Sequence, residues 1–195
     1  MKKIIFLSSL LISFASYAYR VKLSPAEVEQ LKAGKEITRV EELKREVFPK
    51  VTLINIIPHT PEQNMSVFSD FKNHKNFIPG LVKSDIVNKS ANITDVSFEL
   101  NLPAPASNSK YVTRHTLVKE GKDEILTWDL LKSKQLKATK GSIIFEEFEG
   151  KTLFTYITHI TPSSSLAWVV KSRVVPDVKQ TIKAVIKHLG ATAGK

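Results

Sequence analysis

Five histidines, His59, His74, His115, His159 and His188, are the side chains best suited to proton transfer or metal binding. They are scattered along the chain, and no spacing among them makes a local metal-binding pair. His59 and His74 fall in a helix-turn region and read as surface or cap residues, while His115 and His159 fall on strands. Each is expected to be a satisfied structural histidine rather than a base, because a base needs a partner in space. Glu146 and Glu147 are adjacent, so on a strand they point to opposite faces and make no carboxylate pair. Serines are plentiful, but no Gly-x-Ser-x-Gly elbow occurs. With no cysteine, disulfides, thiolate metal sites and cysteine-linked lipid are excluded. No catalytic residue, metal or cofactor is assigned.

The stronger candidates are apolar: Phe98, Trp128, Ile143, Phe145, Phe154, Tyr156, Trp168 and Val170. Side chains of this kind, with a few polar atoms among them, line pockets for hydrophobic molecules, and they also fill cores. An enzyme using the same pocket would draw on polar residues such as His115, Asp129 or Tyr156. Lys179, Lys183 and Lys187 form an i, i+4 row on the last helix, with Lys171 and Arg173 upstream. That row suits either a solvated helix face or contact with an anionic membrane surface.

These residues need elements to position them. Ser24-Pro25-Ala26-Glu27 opens a short helix with a capping box, which Gly34 ends. Residues 35–50 are mixed and charged, and their first part suits a strand or a linker. Val51–Ile57 is a β-rich run stopped by Pro58, and Thr60-Pro61-Glu62-Gln63 is a second capping box. Met65, Phe68 and Phe71 give its helix one apolar face, and Pro79-Gly80 ends the helical stretch. From Val82 the period moves towards two, most clearly where Val96, Phe98, Leu100 and Leu102 alternate with polar residues. Residues 103–109 read as a loop, 111–118 and 125–131 as strands, and 132–140 as a polar, lysine-rich stretch. Glu149-Gly150-Lys151 turns a hairpin that puts Ile143 and Phe145 on one face with Phe154 and Tyr156. Ile144, Phe148, Leu153 and Ile157 share the other face, so both are apolar and periodicity alone does not say which is inside. A long helix from the serines at 163–165 follows, which Pro176 should kink or split and Gly190 should close.

Residues 1–18 carry the pattern of a secretory signal peptide: Lys2 and Lys3, an apolar run from Ile4 to Phe14, and Ser16-Tyr17-Ala18 before a cleavage site. The expected location is periplasmic or secreted. The apolar run is shorter than the roughly 20 residues of a comfortable membrane span. The remaining chain is long enough for one good core. A formal charge of +10 favours anionic partners, but no nucleic-acid motif is present and none is expected as a partner.

The order of strand, two short helices, about six strands and a long terminal helix resembles the SRPBCC superfamily. This is the START-like, birch-pollen-allergen-like group, and the likeness is to its polyketide cyclase, dehydrase and coenzyme-Q-binding branch. Three stretches carry it: Ile56–Gln63 with Val67–Pro79; Thr127–Leu131 with Gly141–Phe145 and Thr152–Ile157; and the last helix. Ile143 stands where such sequences often have tryptophan. The resemblance implies an α+β helix-grip fold, a curved antiparallel sheet around a long C-terminal helix, over residues 43–190. Residues 19–42 would be an N-terminal extension and 191–195 a flexible tail. It also implies a hydrophobic cavity between sheet and helix, holding a lipid, quinone or similar small molecule. Trp168 would stand near the cavity's opening. A binding or transfer protein is the preferred reading; a cyclase or dehydrase, or an envelope protein with a filled core, are the alternatives.

Overall fold

The computed structural model describes residues 20–102, 108–163 and 167–193, with the side chain of Val169 left out. The signal-peptide pattern, most of the 103–109 loop, Ser164, Ser165, Leu166 and the last two residues of the tail lie outside the described residues.

The first helix, α1 (Pro25–Lys32), starts on the expected capping box: the Ser24 hydroxyl accepts from the Glu27 amide while the Glu27 carboxylate accepts from the Ser24 amide. Strands β1 (Ile37–Glu41) and β2 (Lys50–Ile57) follow, then α2 (Pro61–Phe68), whose Thr60–Gln63 box repeats the device. A 3-10 turn (Phe71–Asn76) leads into six strands: β3 (Leu81–Ser90), β4 (Ile93–Leu100), β5 (Ser109–Glu120), β6 (Asp123–Ser133), β7 (Leu136–Phe148) and β8 (Lys151–Pro162). The chain ends on α3 (Ala167–Thr192).

All eight strands form one antiparallel sheet in the order β1-β2-β8-β7-β6-β5-β4-β3. The β7–β8 hairpin has the expected register, with Ile143 opposite Tyr156 and Phe145 opposite Phe154. Its tight turn is Glu149-Gly150, both at positive φ, as a two-residue hairpin requires. The polar, lysine-rich stretch 132–140 runs from the end of β6 into β7. Leu136–Lys140 opens β7, with Lys137 and Lys140 facing solvent and Thr139 buried.

The inner face of the sheet is the one carrying Ile143, Phe145, Phe154 and Tyr156. It packs with Val51, Leu53, Ile57, Val96, Phe98 and Trp128 against Ile182, Val185 and Leu189 of α3. The outer face is apolar because it too is covered: Leu31 of α1 and Ile37 of β1 pack with Ile54, flanked by Val21, Leu23, Ile56 and Leu153. The N-terminal segment is thus joined to the sheet. β1 pairs with β2 along its whole length, and Arg20 bridges Asp123 at 2.7 Å and Glu146 at 3.2 Å.

Two expectations for α3 need correction. Pro176 sits inside one uninterrupted helix and does not split it, and the helix continues two residues past Gly190. Proline removes one amide donor but leaves its neighbours' bonds in place, and the buried stripe of Ile182, Val185 and Leu189 holds the helix to the core. At Gly190 the helix passes Pro58, and its carbonyl lies 3.4 Å from His59 Nε2.

Candidate functional site: a cavity between sheet and helix

The space between α3 and the sheet is filled at one end and hollow at the other. At the filled end α2 acts as a plug. Phe68 packs edge-on against Phe145 at 6.3 Å, and Phe145 meets Phe154 at 5.5 Å. Ile143, Phe145 and Phe154 are fully buried there and do not reach the cavity wall. The hollow end holds a cavity of about 440 Å³. Phe98, Trp128, Tyr156 and Val170 stand on its wall, four of the eight apolar candidates.

Each wall residue is placed by strand alternation. On β5, Ser109, Tyr111, Thr113 and His115 face inward in turn. Trp128 does so from β6, Tyr156 and Thr158 from β8, and α3 closes the wall with Val170, Val174, Val178 and Ile182. Trp128 stands opposite Gly141 in the β6–β7 register, and its indole fills the space that a side chain at 141 would occupy. Tyr156 stacks beside it, ring centres 5.5 Å apart.

Trp168 lies outside the cavity. It is 64% exposed and faces a shallow surface hollow with Val40, Pro49 and Val175, and Lys171 Nζ stands 5.5 Å from its ring centre. Ala167 and Val170 take the inward positions of that first turn, which leaves Trp168 on the flank. Asp129 also lies outside: next to the inward Trp128, it points to the outer face and is exposed. Of the lysine row, Lys179 pairs with Glu36 at 3.3 Å, while Lys171 pairs with Glu42 at 3.3 Å.

His74 departs most from its expected surface position. It is 3% exposed and on the cavity wall, and its Nε2–H donates to the Phe68 carbonyl at 2.7 Å. The 3-10 turn after α2 folds it inward between Phe71 and Phe77. His115, 7% exposed, packs against Phe71 with the rings tilted and their centres 4.6 Å apart, and its Nε2 lies 2.9 Å from Thr113 Oγ1. Burial holds both rings neutral, lowering His74 to about 4 and His115 to about 3; the nearby His188 adds to the lowering at His74, and His74 adds to it at His115. Burial likewise raises the Tyr111 and Tyr156 hydroxyls above their ordinary value. Among the described wall residues the charged ones are Arg173 and Asp177, exposed on α3 and 3.6 Å apart. Among the described residues no cluster of three or more histidine, aspartate or glutamate side chains is arranged to hold a metal ion.

Thr113 and Ser109 are wall residues that are not among the sequence-based candidates. The signal was available in the odd-numbered alternation of β5 from Ser109 to His115.

No family model matches the sequence, and no curated protein is similar to it at a significant level. Solved structures do match in shape. A STAR-related lipid transfer protein from Xanthomonas axonopodis superposes with a TM-score of 0.72 at 17% identity, covering 79% of this chain and 93% of that one. The Zhui aromatase/cyclase from a Streptomyces species gives a TM-score of 0.61 at 10% identity, covering 74% and 93%. A START superfamily protein from Mycobacterium smegmatis gives 0.56 at 12%, covering 73% and 94%. At these identities the likeness is one of fold. The curved antiparallel sheet gripping a long C-terminal helix, with a hollow between them, is the START-like helix-grip fold.

Proposed function

We propose that this protein binds a hydrophobic small molecule, such as a lipid or quinone, in the cavity under α3 and carries it between membranes or partners. The observation that supports this most is the half-filled interior. A hollow of about 440 Å³ persists beside a core whose other end is packed tight, with Phe98, Trp128, Tyr156 and Val170 on its wall. Interiors ordinarily leave no voids of this size. Apolar burial, about 25 cal/mol per Å², would drive uptake. The lipid transfer and aromatase/cyclase neighbours support a ligand cavity in this fold.

The exposed Trp168, with Val40 and Lys171 beside it, is the surface that meets a membrane. Tryptophan and lysine at one site suit the interface between apolar and headgroup regions. No helix among the described residues is long and apolar enough to cross a membrane. The N-terminal pattern at residues 1–18 supports export to the periplasm or beyond. A cyclase-type enzyme is the competing reading, favoured by the presence of His115 and Tyr156 on the wall.

The deciding experiment is native mass spectrometry of protein purified from its own host, followed by organic extraction. A bound hydrophobic species of defined mass is expected. Protein that is always empty, and that takes up no added lipid or quinone, would overturn the reading.

A further inference from the structure

Charge is unevenly spread along the strands. Residues 100–119, 130–145 and 150–176 hold no aspartate or glutamate. Parts of all three segments meet at the hollow end, where Leu102, Ser109, Leu136, Pro162 and Ala167 stand on the cavity wall. Apart from Asp129, the carboxylates of β5 to β8 and their turns stand at the opposite ends of the same strands, between Glu120 and Glu124 and between Glu146 and Glu149.

The basic end culminates in the β6–β7 turn. Lys132, Lys134 and Lys137 are exposed there, and none pairs with a carboxylate among the described residues, which include every aspartate and glutamate of the chain. The acids that reach this end from elsewhere are engaged: Glu99 with Lys110, Glu42 with Lys171 and Asp177 with Arg173. Glu46 accepts from the Thr161 hydroxyl. The turn is also held in place. The Ser163 hydroxyl donates to the Lys134 carbonyl at 2.8 Å, and the Gln135 side-chain amide donates to the Asn108 carbonyl at 3.2 Å. Gln135 and Leu136 are on the cavity wall, so the three lysines stand at the rim of its opening.

Apolar side chains are exposed at the same end. Leu131, 47% exposed, precedes Lys132, and Trp168 is 64% exposed. The chain from Ser163 to Trp168 spans at most about 18 Å, which keeps the indole near the turn. A soluble polyanion would satisfy the lysines but offers no apolar layer to Leu131 and Trp168, whereas an anionic bilayer offers both.

Resting on the reading of the Trp168 end as the one that meets a membrane, we infer that the β6–β7 turn is a docking element for anionic lipid. Lys132, Lys134 and Lys137 set the cavity mouth down on the headgroups, and Leu131 and Trp168 enter the apolar edge beneath them. The acidic turns at the far end face away, so the charge separation orients the approach as well as holding it.

Co-sedimentation with vesicles of equal parts phosphatidylcholine and phosphatidylglycerol tests this. Lys132→Gln with Lys134→Gln should bind about thirtyfold more weakly than the unaltered protein, the loss of two lysines close to a charged surface. The charge-matched pair Lys183→Gln with Lys187→Gln lies about 24 Å or more along α3 from Ala167, beyond the screening length, and should bind within about twofold of the unaltered protein. No loss in the turn pair, or an equal loss in both pairs, overturns the docking turn; if Trp168→Ala still abolishes binding, the membrane reading stands without it. No binding to any vesicle overturns both, and leaves the cavity to be decided by its own mass-spectrometric test. Leu131→Ser should weaken vesicle binding and leave binding to dextran sulfate unchanged. Dextran sulfate held through the turn lysines while vesicles are not would overturn the bilayer as partner. Orientation is read separately, because the chain has no cysteine. A polarity-sensitive dye on Asn101→Cys, at the mouth, should shift to the blue on vesicles, and one on Lys122→Cys, at the far turn, should not. The reverse pattern overturns the pose.

Discussion

Gly141 lies directly opposite Trp128 across β6 and β7, and the indole ring occupies the place where a side chain at 141 would stand. The Ile157 carbonyl crowds the same point. One missing side chain thus sets how the largest wall residue lies against the sheet. Gly141→Ala should destabilise the fold by about 1–3 kcal/mol, the usual cost of overpacking, and should shift the emission of Trp128. The comparison is best made in a Trp168→Phe background, which leaves Trp128 as the single reporter, with urea denaturation reading stability.

The plug on α2 offers a second handle. Phe68 touches both the cavity and the packed Phe145, so Phe68→Ala should join new space to the hollow. A loss of about 3–5 kcal/mol is expected for a buried phenylalanine, together with a preference for longer ligands. A series of fatty-acid methyl esters of increasing length, titrated into both proteins, checks the shift in optimum length.

Trp168 separates docking from binding. It stands outside the cavity, so Trp168→Ala should leave the affinity for a soluble ligand unchanged within about twofold. Association with anionic vesicles should fall, because the exposed indole that stands beside Lys171 is lost. Co-sedimentation with phosphatidylglycerol vesicles, run beside a dye titration, distinguishes the two effects.

The buried histidines give a pH dependence of known sign. Once unfolded, His74 and His115 take up protons near 6.5; folded, they resist until about 4 and about 3. The unfolded state therefore binds more protons below 6.5. Stability from this source is fully present above that pH and is lost as pH falls through it, by about 1.4 kcal/mol per pH unit for each ring. Asp70 and Asp95 nearby oppose the shifts without cancelling them. Urea midpoints measured between pH 7 and 5 should fall more steeply in the unaltered protein than in His74→Phe.

Much of the fold was legible because its signals are local. Both capping boxes, the hairpin register and the order of strand, helices, six strands and helix could be read from neighbouring residues. The inner face was not legible, since the outer face of β2 and β8 is equally apolar and is covered by Leu31 and Ile37 from far along the chain. Nor could sequence show where the hollow ends. Ile143, Phe145 and Phe154 share a face with Tyr156, and only the position of Phe68 decides that they are packed while Tyr156 is on the wall. His74 was misplaced for the same reason: a polar residue in a short turn reads as exposed until the aromatic neighbours that bury it are known.

The sheet order also governs how the chain must come together. β2 lies second from one edge of the sheet, between β1 and β8, with Val51 paired to Thr158. Every other strand pairing joins strands that follow one another in the chain, and these can form as the chain lengthens. The seam between β2 and β8 cannot close until β8 has emerged, and α3 has no complete floor to settle on before then. Such a long-range pairing slows folding and leaves apolar strand surface open meanwhile. Truncation anywhere before Pro162 should therefore yield an aggregating chain rather than a smaller domain, and the stretch from Lys151 onward decides when the protein becomes a folded object at all.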